Sequence, residues 1–284
     1  MLKMTEKIAV VTGGNKGIGY AIVKGLCERY DGTVYLTARD VARGKEAVKK
    51  LNDLGLKPLF HQLDINDQLS INTFKDHIKK THSGIDILVN NAAIAFKNDA
   101  TEPFSVQAKE TVAVNYFSLL RVCNTLFPII KQNGRVVNIS SSAGHLSRIP
   151  SADLRKKLSD SSLTIENLSK LMDKFVSDAK EGKHQEEGWG NSAYVVSKVG
   201  CSALSIIQQR EFDDEKPCRN ISVNAVHPGY VDTDMTSHKG SLTIEQGAAA
   251  PLYLALEDHG LKGKYVWFDK QVVDWYGSGT PTKV

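Results

Sequence analysis

The 284-residue chain has only four cysteines, at positions 27, 123, 201 and 218, and no two of them form a CxxC pair. No histidine cluster joins them at ligand spacing, so neither a metal site nor a disulfide framework is expected. They read as free thiols of a reducing compartment. No stretch approaches the ~18 consecutive apolar residues that a membrane span needs. No run of five or more basic residues occurs. The net charge of +4, from 36 basic and 32 acidic residues, is too diffuse for a nucleic-acid surface. Such a mild positive field does suit an anionic cofactor. Internal repeats and low-complexity linkers are also missing. The opening MLKMTEKIAVVTGG carries a short strand rather than the apolar core of a signal peptide. The closing TPTKV shows no lipidation or retrieval signal. These absences lead to the expectation of a cytoplasmic chain with neither a membrane nor a nucleic-acid partner.

What is present is an alternation of short apolar runs and helical patterns. Strands are expected over 8–12, 33–37, 58–63, 85–89, 134–139, 221–226 and 264–268. Most are rich in Val, Ile and Leu without polar alternation, as suits parallel strands covered on both faces. Helices are expected over 19–30, 43–54, 67–82, 107–131, 193–211 and 244–256. This order predicts an α/β fold: one Rossmann-type, doubly wound parallel sheet, in a single domain covering residues 1–284. Residues 143–190 break the alternation and read as a helical insertion. Within it, 164–179 sets Leu168, Leu171, Met172, Phe175 and Ala179 at helical spacing, with Thr164 as the cap.

The motif VVTGGNKGIG, residues 10–19, follows a strand and opens a helix. Gly13 permits a tight turn, Gly17 lets backbone approach a pyrophosphate, and Gly19 lets helix and strand pack closely. Phosphates then meet unpaired N–H groups at the helix N-terminus. The next strand ends in Arg39 and Asp40. A guanidinium there favours a ribose 2′-phosphate, and a carboxylate favours a free 2′-hydroxyl. Arg39 comes first and Lys16 adds a second cation, so NADP(H) is the expected cofactor. Asp64 and Asn91 end the third and fourth strands, at the adenine edge and in the cofactor groove.

A fourth group carries the reaction chemistry. Ser140 and Ser141 end the strand in RVVNISSSAG, and Tyr194 and Lys198 form a Y-x-x-x-K pair. Residues four apart share one helix face, so the phenol and the ammonium can converge on one bound molecule. With VTGGNKGIG, LTARD, LVNNA, GRVVNISS, EGW and PGYVDTDM, the chain resembles the short-chain dehydrogenase/reductase family over essentially its whole length. It is similar above all to the monomeric carbonyl reductases, whose mark is the long stretch between Ser141 and Tyr194.

That resemblance implies a catalytic set of Asn115, Ser141, Tyr194 and Lys198, the family's serine being the second of its pair. It implies cofactor contacts at Asn15, Lys16, Ile18, Arg39, Asp64, Asn91, Tyr194, Lys198, and the loop holding Pro228, Gly229, Val231 and Thr233. No metal is implied. Two positions depart from the pattern: Ala93 stands where glycine is usual, and Tyr230 where the subgroup often has tryptophan. The implied reaction is NADPH-dependent reduction of a small-molecule ketone, aldehyde or quinone. Tyr194 would be the general acid, Lys198 would favour the phenolate, Ser141 would polarise the carbonyl, and Asn115 would anchor a water. The same residues serve an alcohol or steroid dehydrogenase running in reverse. A non-catalytic NADPH-binding regulator fits less well, since it need not keep all four. In most of the family the helices over 107–131 and 193–211 pack on a second subunit. Here the insertion would cover them and leave a monomer.

Overall fold

Strand β1 (Ile8–Val11) is buried at all four residues, which is why it reads as an unbroken apolar run. It is the centre from which the chain winds outward in two directions. The computed structural model describes residues 6–97 and 99–281. From β1 the chain passes through α1 (Gly17–Arg29), β2 (Thr33–Ala38), α2 (Val41–Asp53), β3 (Leu59–Gln62) and α3 (Gln68–Thr81). It returns to β4 (Ile85–Asn90) on the other side of β1. The remaining sheet strands are β5 (Ile130–Ile139), β6 (Ser222–Val226), β7 (Tyr265–Val266) and β8 (Val272–Val273). The order is β3-β2-β1-β4-β5-β6-β7-β8, parallel except for β8 against β7. The direction of winding reverses between β1 and β4, and ligands of such sheets bind beyond the strand C-termini at that point.

Helix starts follow side-chain chemistry. Asp40 caps α2 through the Arg43 amide, and Asp67 caps α3 through that of Leu69. In the long helical run, α4 (Phe104–Val112) passes through a π-helical turn, Ala113–Ser118, into α5 (Leu119–Leu126). The helix expected over 107–131 therefore starts earlier and ends earlier. Pro128 cannot donate to the helix ladder, a 3-10 turn follows, and β5 begins at Ile130 rather than at 134. By composition, Phe104–Ile129 is long and apolar enough to cross a membrane, at a mean hydropathy of 1.2. Its Ala108, Val112 and Tyr116 are instead wholly buried in the protein core.

The insertion holds α6 (Ala152–Leu158), which the apolar spacing did not reveal, and α7 (Ile165–Lys180). Thr164 caps α7 through the Asn167 amide, as expected. Leu168, Met172, Phe175 and Ala179 are buried against α4 and against α8 (Ala193–Asp213). Gly200 makes that approach possible: a β-carbon there would stand 2.7 Å from Met172 Sδ. The last helix, α9 (Ile244–Leu256), packs on α1 and is closed by a capping box of Thr243 and Gln246.

Candidate active site

The glycine loop ends β1 and sets up the start of α1. Gly13 and Gly17 have φ of +63° and +56°, a region costly for residues with a β-carbon. Asn91 lies across this loop: its amide donates to the carbonyls of Thr12 (3.0 Å) and Gly13 (3.1 Å). A β-carbon on Gly19 would sit 2.4 Å from both Asn91 Nδ2 and the Gly13 oxygen. Gly19 is thus where Asn91 fits, and the Asn91 amide clamps the loop rather than pointing freely into the groove. At the N-cap of α1, Lys16 makes no side-chain cap, so the first-turn N–H groups are not satisfied that way. Lys16 instead reaches Asp234 at 2.7 Å, an exposed pair that ties the glycine loop to the segment after Thr233. Asn15 and Ile18 are half-buried beside it.

At the tip of β2 the structure separates the two residues that compete for the ribose. The Asp40 carboxylate is committed to capping α2, accepting the Arg43 amide at 2.9 Å. Arg39 is exposed, and its guanidinium has no protein partner among the described residues. Asp64 uses one carboxylate oxygen on the Asn66 amide and stays half-buried at the end of β3.

Across the sheet, β5 delivers the serine pair. Ser140 is buried, its hydroxyl 2.7 Å from Ser202 Oγ on α8. Ser141 is half-buried, and its Oγ accepts the Ala143 amide at 3.2 Å, which leaves its proton without a protein acceptor among the described residues. Ser192 caps α8 through the Val195 amide, and Tyr194 follows in the first turn, half-buried. One turn later Lys198 is only 3% exposed. Its ammonium donates to the Ile139 carbonyl at 2.7 Å and lies 5.8 Å from the Tyr194 ring centre. A buried charge persists only when paired or hydrogen-bonded, and the Ile139 oxygen provides such a bond. Lys198 therefore joins the end of β5, which leads into Ser141, to Tyr194.

Asn115 sits in the π-helical turn, a feature frequent at functional sites. Its Oδ1 accepts the Ile94 amide, and its Nδ2 donates to the Ile94 carbonyl and to Ser197 Oγ, at 2.9, 2.9 and 3.0 Å. Both amide protons are taken, so Asn115 could hold a water only through an oxygen, as an acceptor.

The loop after β6 closes the site. Pro228 and Val231 are buried and Gly229 has φ +92°. Val231 pairs with Leu242, and Thr233 Cγ2 would lie 3.3 Å from a β-carbon on Gly17. Tyr230 is 45% exposed on the outer side. His227, packed against Trp267 with the ring planes tilted by 59°, is pushed down to about 4 by burial and stays neutral at pH 7.

Three residues that the sequence did not point to hold the serine loop. Tyr265 donates to the Ser141 carbonyl, Trp275 Nε1 donates to the Gly144 carbonyl at 2.7 Å, and His145 Nε2 donates to the Asp274 carbonyl at 2.9 Å. Burial pushes the Tyr265 phenol well above its ordinary range and lowers His145, so neither ionises near neutrality. Local pattern could not reveal these bonds, because their partners lie more than a hundred positions apart.

The model of the short chain dehydrogenase family matches residues 7–152, about half of the chain. The chain belongs to the short-chain dehydrogenase family. The chain is 47% identical over 272 residues to carbonyl reductase (NADPH) 1 of Bos taurus, covering 94% of this chain and 98% of that one. It is 46% identical to carbonyl reductase (NADPH) 3 of Mus musculus over 278 residues, covering 95% and 99%. Among solved structures it is similar to salutaridine reductase from Papaver somniferum, with a TM-score of 0.83, 31% identity, and 92% and 99% of the two chains covered. The donor set of the chain fits a phosphorylated dinucleotide: positive-φ glycines, a helix N-terminus without a side-chain cap, and an arginine unpartnered among the described residues beside an occupied aspartate.

Proposed function

We propose that this chain is an NADPH-dependent carbonyl reductase in which Tyr194 is the general acid. The observation that carries the reading is the buried Lys198, bonded to Ile139 beside the Tyr194 ring and next to Ser141. The similarity to two carbonyl reductases over nearly full length supports the choice of substrate class. The glycine loop with Gly13, Asn15, Lys16, Gly17, Ile18 and Gly19 would hold the pyrophosphate, and Arg39 the 2′-phosphate. Asp64 would meet the adenine, and the loop of Pro228, Gly229, Val231 and Thr233 would border the nicotinamide end. When bound, the nicotinamide supplies a hydride for the carbonyl carbon. Ser141 donates its free proton as a hydrogen bond to the carbonyl oxygen, which polarises that bond. Tyr194 gives its proton to the same oxygen as negative charge develops there. The Lys198 ammonium stabilises the phenolate left behind and would also hold the nicotinamide ribose. Asn91 and Asn115 act by fixing the glycine loop and the Ile94 segment. An assay of NADPH consumption over quinones, aromatic ketones, aldehydes and ketosteroids tests this. Turnover of at least one class is expected, and binding of NADPH without turnover of any contradicts it.

Cofactor choice rests on Arg39. Losing a charge-assisted bond to phosphate costs about 1.5–3 kcal/mol, or roughly 10- to 150-fold in affinity. Arg39→Ala should weaken NADPH by that factor and leave NADH nearly unchanged in a fluorescence titration. Equal losses with both would remove Arg39 from the phosphate site.

We also propose a monomer in the cytoplasm. Free cysteines, two of them buried, suit a reducing compartment. The α7 face covers α4 and α8 with Leu168, Met172 and Phe175, each 0% exposed. Burying each such side chain is worth about 1.5–3 kcal/mol, which makes separation of α7 to admit a second subunit costly. Light scattering should give a mass near 31.2 kDa at all concentrations. A stable mass of twice that value would show that the covered helices are not the dimer surface in question.

A further inference from the structure

The Ser141 hydroxyl must point at a small target from a loop, and loops do not hold side chains well unless their backbone is tied. Ser141 lies just after β5 at the start of the 3-10 turn Ser142–Gly144. That loop is tied to the C-terminal segment. Tyr265 holds the Ser141 carbonyl, Trp275 holds the Gly144 carbonyl, and the Asp274 carbonyl receives the His145 ring proton. The His145 tautomer follows from its partners: Nε2 faces a carbonyl and must donate, while Nδ1 accepts the Ser147 amide. The segment giving these bonds is itself anchored in the sheet. Tyr265 is in β7, paired with β6 on one side and β8 on the other. Tyr265 and Trp275 are 2% and 3% exposed, so each aromatic body anchors its polar tip. On its other side the loop presses on α8, where a β-carbon on Gly144 would stand 2.8 Å from the Lys198 carbonyl.

We propose that the C-terminal hairpin is a positioning element for the reaction, with Tyr265 as the positioning residue that aims the Ser141 hydroxyl. Tyr265 touches no reactant in this role: its own proton is committed to the Ser141 carbonyl. Without it the Ser141 carbonyl keeps only the Gly144 amide, 2.8 Å away within the same short turn, and loses its one tie to the C-terminal segment, so the turn and the hydroxyl it carries can shift together. The inference rests on the assignment of Ser141 to the carbonyl oxygen of the substrate. The variant Tyr265→Phe keeps the ring and its packing and deletes one hydrogen bond.

The test is a double-mutant cycle on the full chain. Tyr265→Phe should lower kcat about tenfold, while the NADPH dissociation constant, read by fluorescence, stays within twofold of wild type. In a Ser141→Ala background the same change should alter kcat less than about twofold, because no hydroxyl remains to be aimed. Trp275→Phe, which frees the Gly144 carbonyl, should repeat the pattern and stands in if Tyr265→Phe fails to fold. A general loosening of the protein would instead multiply with Ser141→Ala. Multiplying losses, or full kcat in both aromatic variants, overturn the inference while leaving the role of Ser141 intact. Full kcat in Ser141→Ala alone overturns that role and the inference with it.

Discussion

Tyr194→Phe should fold, still bind NADPH, and reduce carbonyl compounds with a kcat lower by about 10²- to 10⁴-fold. The substitution removes a hydroxyl and nothing else. The ring keeps its place beside the Lys198 ammonium, 5.8 Å from its centre. The helix start is untouched, because Ser192 caps it and the Ser197 hydroxyl bonds to the Tyr194 carbonyl rather than to its phenol. Ser141 and the cofactor groove are unchanged, so polarisation and orientation remain and only proton delivery is lost. Stopped-flow binding and steady-state turnover separate the two. A variant that kept a tenth of wild-type kcat would show that another group supplies the proton.

Lys198→Ala should lose on both counts. Kcat falls because the charge that stabilises the phenolate is gone, and NADPH affinity falls because the ribose loses its ammonium. There is a third effect. The Ile139 carbonyl loses its 2.7 Å partner in a buried setting, and an unsatisfied buried group costs about 1–3 kcal/mol. That oxygen lies two residues before Ser141, so the serine loop should loosen as well. The expected drop in kcat is at least that of Tyr194→Phe, about 10²-fold or more, with a raised NADPH dissociation constant and a lowered melting temperature. A drop in kcat alone, with binding unchanged, would leave Lys198 with one role rather than two.

Much of this was legible because its signals are local. The glycine loop, the arginine after β2, the NNA run and the tyrosine–lysine pair each lie within one turn or strand. Their order along the chain then fixes their meeting at the C-terminal edge of one sheet. Arg39 is preferred over Asp40 in sequence terms only because it comes first, since both types can face a ribose. The structure separates them through the cap of α2, a backbone fact that side-chain type alone does not give. Asn91 and Asn115 read as groove and water residues, and their amides are spent on the backbone of the glycine loop and of Ile94. Polar residues at strand ends often serve the backbone first.

The serine clamp was hidden for a different reason. Tyr265, Trp275 and Asp274 meet Ser141, Gly144 and His145 only because β7 pairs beside β6 and the chain then doubles back through β8. β7 lies within the strand expected over 264–268, but the two-residue β8 leaves no periodicity to detect. The long helix ran past its true end in the sequence reading because apolar residues continue through Phe127 and Ile130, and Pro128 was the stop.

The most direct measurement follows an atom. NADPH carrying deuterium at the transferable position of nicotinamide C4 is incubated with the protein and a ketone or quinone that it consumes, and the product is weighed by mass spectrometry. The account predicts an alcohol or hydroquinone formed in step with NADPH loss, and for the ketone a single deuterium on the carbinol carbon. Ketone reduction without label on that carbon, or NADPH binding with no reduced product from any carbonyl substrate, would contradict it.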